Sequence, residues 1–136
     1  MFLILILLGV WILLIYYFGT SPFGRSGTQN WIEAFRDNEK VYDFLNSHHG
    51  FFRAAFHYVQ FGGLYYLLYL TINGGSFHWA TGRAWLALVL SCVGAYLDEW
   101  HQSRQAGRCA RKIDLLHSCL GASYAHIFLG LMNLIF

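Results

Sequence analysis

Thr81–Gln102, TGRAWLALVLSCVGAYLDEWHQ, is the stretch from which the rest of the chain is read. No charged residue occurs from Ala84 to Leu97, and then Asp98, Glu99, His101 and Gln102 fall within five residues. A membrane helix leaving the hydrocarbon has this pattern. About 20 apolar residues cross the bilayer core, and ionisable groups gather at its edge because a charge at the centre costs about 2.5–3.5 kcal/mol on insertion scales. Outward from this stretch lie three more apolar runs. Met1–Phe18 carries no charge and lacks the basic start of a secretory leader, which predicts a retained first helix. Phe51–Ile72 has Arg53, His57 and Gln60 in its first turns, and Ile113–Phe136 has Asp114 at its start.

The composition agrees with lipid as part of the solvent. Of the 136 residues, 57% are hydrophobic, 19% aromatic and only 12% charged, against about 25% charged in soluble domains. A net charge of +2 points to no nucleic-acid partner. Backbone groups in lipid must pair within their own segment. The predicted fold is therefore an all-α membrane protein, a single domain over 1–136, with four transmembrane helices at about 1–18, 51–72, 81–99 and 113–136. An interfacial amphipathic helix is expected at about 30–47. There Asn30 and Glu33 have capping-box spacing, and Trp31, Phe35, Tyr42 and Leu45 recur at helical intervals between Arg36, Asp37, Glu39 and Lys40. Gly19–Thr28, with Pro22, reads as a loop, Asn73-Gly74-Gly75-Ser76 as a turn, and Ser103–Lys112 as a basic loop. Cys92, Cys109 and Cys119 form no CxxC and no even framework, so no disulfide is expected.

Alternating spans bring the polar residues together. The second helix begins where the third ends, and the fourth begins there too. Arg53, His57, Gln60 and Leu64 share one helix face, as do Asp98, His101, Gln102 and Gln105, and as do Asp114, Ser118 and Gly121. Eight of the nine basic residues lie on that side and only Arg83 on the other. A positive-inside count would make the side cytoplasmic. Arg53, Arg104 and Arg108 also belong to the candidate site, so the count alone does not fix the orientation.

Asp98-Glu99-Trp100-His101-Gln102, then Gly107-Arg108, Asp114 and Gly121-Ala122, resembles the signature of the VanZ-like family of bacterial membrane proteins. Arg53-x-x-x-His57 resembles that family's basic-x-x-x-His motif on the second helix. The resemblance covers most of the chain after residue 50. Ala106, Gln60, Phe61 and Ser118 depart from the residues usual in the family, and its basic start is missing. The resemblance implies a multi-pass protein of the bacterial inner membrane, in a cell-envelope setting linked to tolerance of the glycopeptide teicoplanin. It implies no reaction and names no cofactor.

Four chemistries fit these residues. The first is a site for an anionic lipid or lipid-linked envelope precursor, with Arg53, Arg104 and Arg108 on the headgroup oxygens and Gln102 and Asp114 completing the binding set. The second is an acid–base hydrolase or transferase on such a headgroup. In it His57 or His101 carries the proton, and Asp98 or Glu99 orients it. The third is a metal held by the Asp98-x-x-His101 pair with His57 and Asp114, disfavoured by the neighbouring arginines. The last is a non-catalytic subunit whose polar cluster binds another membrane protein or a second copy.

The remaining signals have plainer roles. His48-His49 is expected in a solvated loop. Trp79 and Trp85 are expected as interfacial anchors near His78, and His126 in a helix–helix hydrogen bond. Gly62, Gly63 and Gly94 are read as close-packing positions. Tyr65, Tyr66 and Tyr69 are read as an interhelical or lipid-facing stripe.

Overall fold

The computed structural model describes residues 1–20, 30, 32–105 and 111–135. Within them the chain is all helical, with no strand: α1 (Phe2–Phe18), α2 (Glu39–Ile72), α3 (Thr81–Ser103) and α4 (Lys112–Ile135). Among the described residues α4 alone is both long and apolar enough to cross a membrane; α1 is apolar but has 17 residues.

The expected separate interfacial helix is corrected. Ala34 N–H does bond to the Asn30 carbonyl, but the chain then passes into turns, with Phe35, Arg36 and Asn38 bonding back to Ile32, Glu33 and Phe35. Trp31 lies outside the described residues, as does the expected loop from 21 to 28. The helix starts behind Asn38, whose side chain accepts from Val41 N–H. It then runs unbroken for 34 residues, about 51 Å at 1.5 Å each. His48 and His49, expected in a loop, are inside it. Local bonds carry the helix through: Ser47 Oγ donates to the Asp43 carbonyl at 2.6 Å, and the His48 ring sits 4.6 Å from that of Phe44. The single Gly50 in this stretch costs about 1 kcal/mol, too little to end a helix anchored by packing further on.

Helix α2 is the centre of the bundle. It packs on all three others, most extensively on α4. The two run parallel at a constant offset: Arg53 meets Asp114, His57 meets Ser118 and Tyr65 meets His126, each 61 residues apart. Gly121 sets their separation. A Cβ there would lie 2.6 Å from the Tyr58 carbonyl oxygen, so the backbones touch where a side chain would hold them apart. Helix α1 docks through Trp11. Its ring lies over Gly63, and its indole N–H donates to the Gln60 carbonyl at 2.9 Å. Small residues of α3 and α4 (Ala84, Ala87, Ala122, Ala125) admit Tyr65 and Tyr69 into the core, so these tyrosines are interhelical. His126 is the expected helix–helix bond, its Nδ1 3.1 Å from Tyr65 Oη. The rings of Trp79 and Trp85 lean against it.

The α2–α3 connection closes the far end of the bundle. Gly74 and Gly75 take φ of 68° and 86°, a left-handed conformation that suits glycine. Asn73 Nδ2 donates to the carbonyls of Ser76 and His78 at 2.8 Å, and its Oδ1 accepts from Arg83 at 2.7 Å. Tyr69 Oη donates to the His78 carbonyl and accepts from Ala80 N–H. Asn73→Ala leaves these buried groups unpaired. It is expected to cost about 1–3 kcal/mol, read as a lower melting temperature in detergent, with binding at the opposite end unaffected.

Candidate functional site

At the other end, the last turns of α1 and α3 meet the first turns of α4 and the middle of α2. Arg53 directs both Nε and Nη2 at Asp114 Oδ2, at 3.1 and 2.5 Å. Asp114 is 2% exposed and sits in the first turn of α4, where the helix dipole also favours negative charge.

One turn further along α2, His57 Nδ1 lies 3.0 Å from Ser118 Oγ, which itself donates to the Asp114 carbonyl at 3.0 Å. A hydroxyl has one proton. With that proton on the Asp114 carbonyl, the His57–Ser118 bond is donated by Nδ1–H. A neutral His57 then has its lone pair on Nε2. Ser118 orients the imidazole and is not poised as a nucleophile that His57 would deprotonate.

Helix α3 supplies the carboxylates. Gln102 Nε2 donates to Asp98 Oδ2 at 2.7 Å. This fixes the amide, because a flip would set oxygen against oxygen. Gln102 is 3% exposed, and its Oε1 is buried with no hydrogen-bond partner among the described residues. Glu99 Oε1 accepts from Arg111 N–H and so ties the end of α3 to the start of α4. Asp98 Oδ1 lies against Gly19 at the end of α1, 2.9 Å from where a Cβ would stand. The His101 ring sits 4.6 Å from that of Tyr16, and its Nε2 lies 3.2 Å from Gln105 Nε2.

Of the nine expected site residues, the structure buries Arg53, His57, Asp98, Glu99, Gln102 and Asp114 wholly or largely, and sets the half-buried His101 beside them. Arg104 stands apart from this group, at its rim. It is exposed, and its guanidinium lies 3.9 Å over the Trp100 ring. Four residues along a helix share a face, so Arg104 follows Trp100 outward and not Asp98 inward. Arg108, with Ala106 and Gly107, lies outside the described residues. Among the described residues no group of three or more His, Cys, Asp or Glu side chains is arranged to hold a metal. Asp98 and His101 turn toward Gln102 and Gln105, while His57 and Asp114 are engaged across α2 and α4.

Two contributions lay beyond the candidate list. Ser118 falls four residues after Asp114, a spacing that signals its place on the same face. Tyr16 and Gly19 of α1 gave no polar signal. Tyr16 helps to form a cleft of about 430 Å³ between α1, α2 and α3, apolar along its length and reaching Asp98 and His101 at one end. Comparison with protein-family models, with curated proteins and with solved structures returns no match for this chain.

Proposed function

We propose that the chain is a multi-pass VanZ-like protein of the bacterial inner membrane. At the cluster of His57, Asp98, Glu99, His101, Gln102 and Asp114 it engages an anionic lipid or lipid-linked envelope precursor. The observation that carries this is the burial of two hydrogen-bonded polar arrays, Arg53–Asp114–Ser118–His57 and Gln102–Asp98, where the ends of α1, α3 and α4 meet the middle of α2. Large apolar side chains are exposed on all four helices, among them Leu3, Val59, Val93 and Leu131, a surface suited to lipid and far larger than soluble monomers carry. Four crossings then put the arrays at the level of the headgroups. Exposed Arg104, Arg111 and Lys112 stand at the rim, the two arginines with guanidinium forks suited to phosphate oxygens.

The test is native mass spectrometry of the full chain released from membranes in mild detergent. The wild type is expected to retain anionic phospholipid. Asp98→Asn and Arg104→Ala are each expected to lower retention about tenfold, the scale of one lost charge-assisted contact, with melting little changed. Equal retention in both variants overturns the proposal. The Nδ1–H bond of His57 to Ser118 also favours acid–base work on the headgroup, since Nε2 is the basic atom. In that case His57→Gln keeps the lipid bound while turnover of it is lost.

A further inference from the structure

We infer that the cleft between α1, α2 and α3 takes one acyl chain of a phospholipid whose headgroup lies at Asp98 and His101. This rests on the lipid function proposed above and names the part of the ligand that the polar cluster does not address. From His101 to Leu90 the cleft follows α3 for roughly 16 Å, close to half of the ~30 Å hydrocarbon core, so its depth matches a chain crossing one leaflet. Its volume of about 430 Å³ falls within the roughly 300–1,000 Å³ of ligand sites.

The chemistry along the cleft is that of an amphiphile. Leu64, Leu68, Leu90 and Val93 line its apolar length, and its ionisable groups sit together at one end. Gly94 keeps the floor open, since a Cβ there would press on Leu64 Cδ2 at 3.2 Å. At the polar end the Asp98 carboxylate accepts hydrogen bonds from headgroup hydroxyls, and Arg104, just past the end of α3 and exposed beside Trp100, offers a guanidinium to a phosphate in the headgroup layer outside the cleft. The second cleft, of about 490 Å³ between Trp11, Gly62, Gly121 and Phe128, has no acid, imidazole or guanidinium on its walls. It lacks the polar end that would fix a headgroup.

The test uses the full chain in nanodiscs containing phosphatidylglycerol with a diazirine near the end of one acyl chain. After irradiation, adducts are mapped by peptide mass spectrometry. Adducts are expected at Leu64, Leu68, Leu90 and Val93. Val93 is 48% exposed, at the lip of the cleft, so Val93→Trp blocks the entrance without disturbing the core. It is expected to lower labelling there about tenfold, and Leu90→Trp, checked for an unchanged melting temperature, is expected to do the same. Val59→Trp, which narrows the second cleft from a position 64% exposed, is expected to leave the labelling unchanged. Even labelling over all exposed apolar positions, labelling insensitive to both α3 variants, or a cleft closed by a second copy and free of adducts would each overturn the inference. If lipid is still retained in native mass spectrometry while the cleft stays unlabelled, the acyl-chain site alone fails. If no lipid is retained, the headgroup proposal fails with it.

Discussion

Gly121→Ala is expected to destabilise the folded chain by about 3 kcal/mol, the upper end of what overpacking costs, and Gly121→Val is expected to prevent assembly of the bundle. The added Cβ would lie 2.6 Å from the Tyr58 carbonyl oxygen, 2.7 Å from its Cα and 3.0 Å from its carbonyl carbon. All three are backbone atoms of α2, so no rotamer change relieves the clash and the helices must separate. The pairs Arg53–Asp114, His57–Ser118 and Tyr65–His126 all bridge this interface. Separation therefore stretches polar contacts at the site as well as packing. Gly63 makes a useful comparison. A Cβ there would meet the Trp11 ring at 2.5 Å, but that ring is a side chain at the edge of the bundle and can swing away, so Gly63→Ala is expected to cost less. Gly50 has nothing within 4 Å of its Cβ position, and Gly50→Ala is expected to stabilise α2 by up to about 1 kcal/mol. Thermal unfolding in detergent, followed by circular dichroism, ranks the three. A Gly121→Ala protein that melts with the wild type would contradict the close α2–α4 contact.

The positions of the helices were legible because apolar runs and their charged ends are local properties. So was one face of each half of the site: Arg53 and His57 repeat at four residues, as do Asp114 and Ser118. Their pairing across 61 residues was not legible, since it depends on how deeply α2 and α4 interpenetrate, which Gly121 decides. Polarity misled at His48-His49, where hydrophilic residues suggested a loop. Helical bonding within residues 43–48 and the anchored length that follows carry α2 through them. At Arg104 charge alone did not show that helix phase turns the side chain outward onto Trp100, to the rim of the cluster and not into it. The contribution of α1 left no trace in composition. Tyr16 and Gly19 act through a ring contact and a close backbone approach, neither of which has a motif.

Arg53→Ala and Asp114→Ala are each expected to cost about 3–5 kcal/mol, because removing one partner strands the other as a buried charge. Asp114 is 2% exposed and the Arg53 side chain 17%, so water reaches the stranded carboxylate less readily than the stranded guanidinium. Arg53→Ala is therefore the more damaging of the two. Replacing both, as Arg53→Met with Asp114→Leu, removes both buried charges and fills the space with apolar groups, an exchange that is often neutral or stabilising. The double variant is expected to melt several degrees above either single one, a non-additivity that a double-mutant cycle measures directly. Lipid retention distinguishes a structural pin from part of the site. The Asp114 backbone carbonyl still receives Ser118 Oγ in the double variant, so His57 keeps its orientation, but the ionic end of the array is gone. Melting is therefore expected to recover while retention of anionic phospholipid stays low. Recovery of both would assign Arg53 and Asp114 to holding α2 against α4 and leave the headgroup to Asp98, His101 and Gln102.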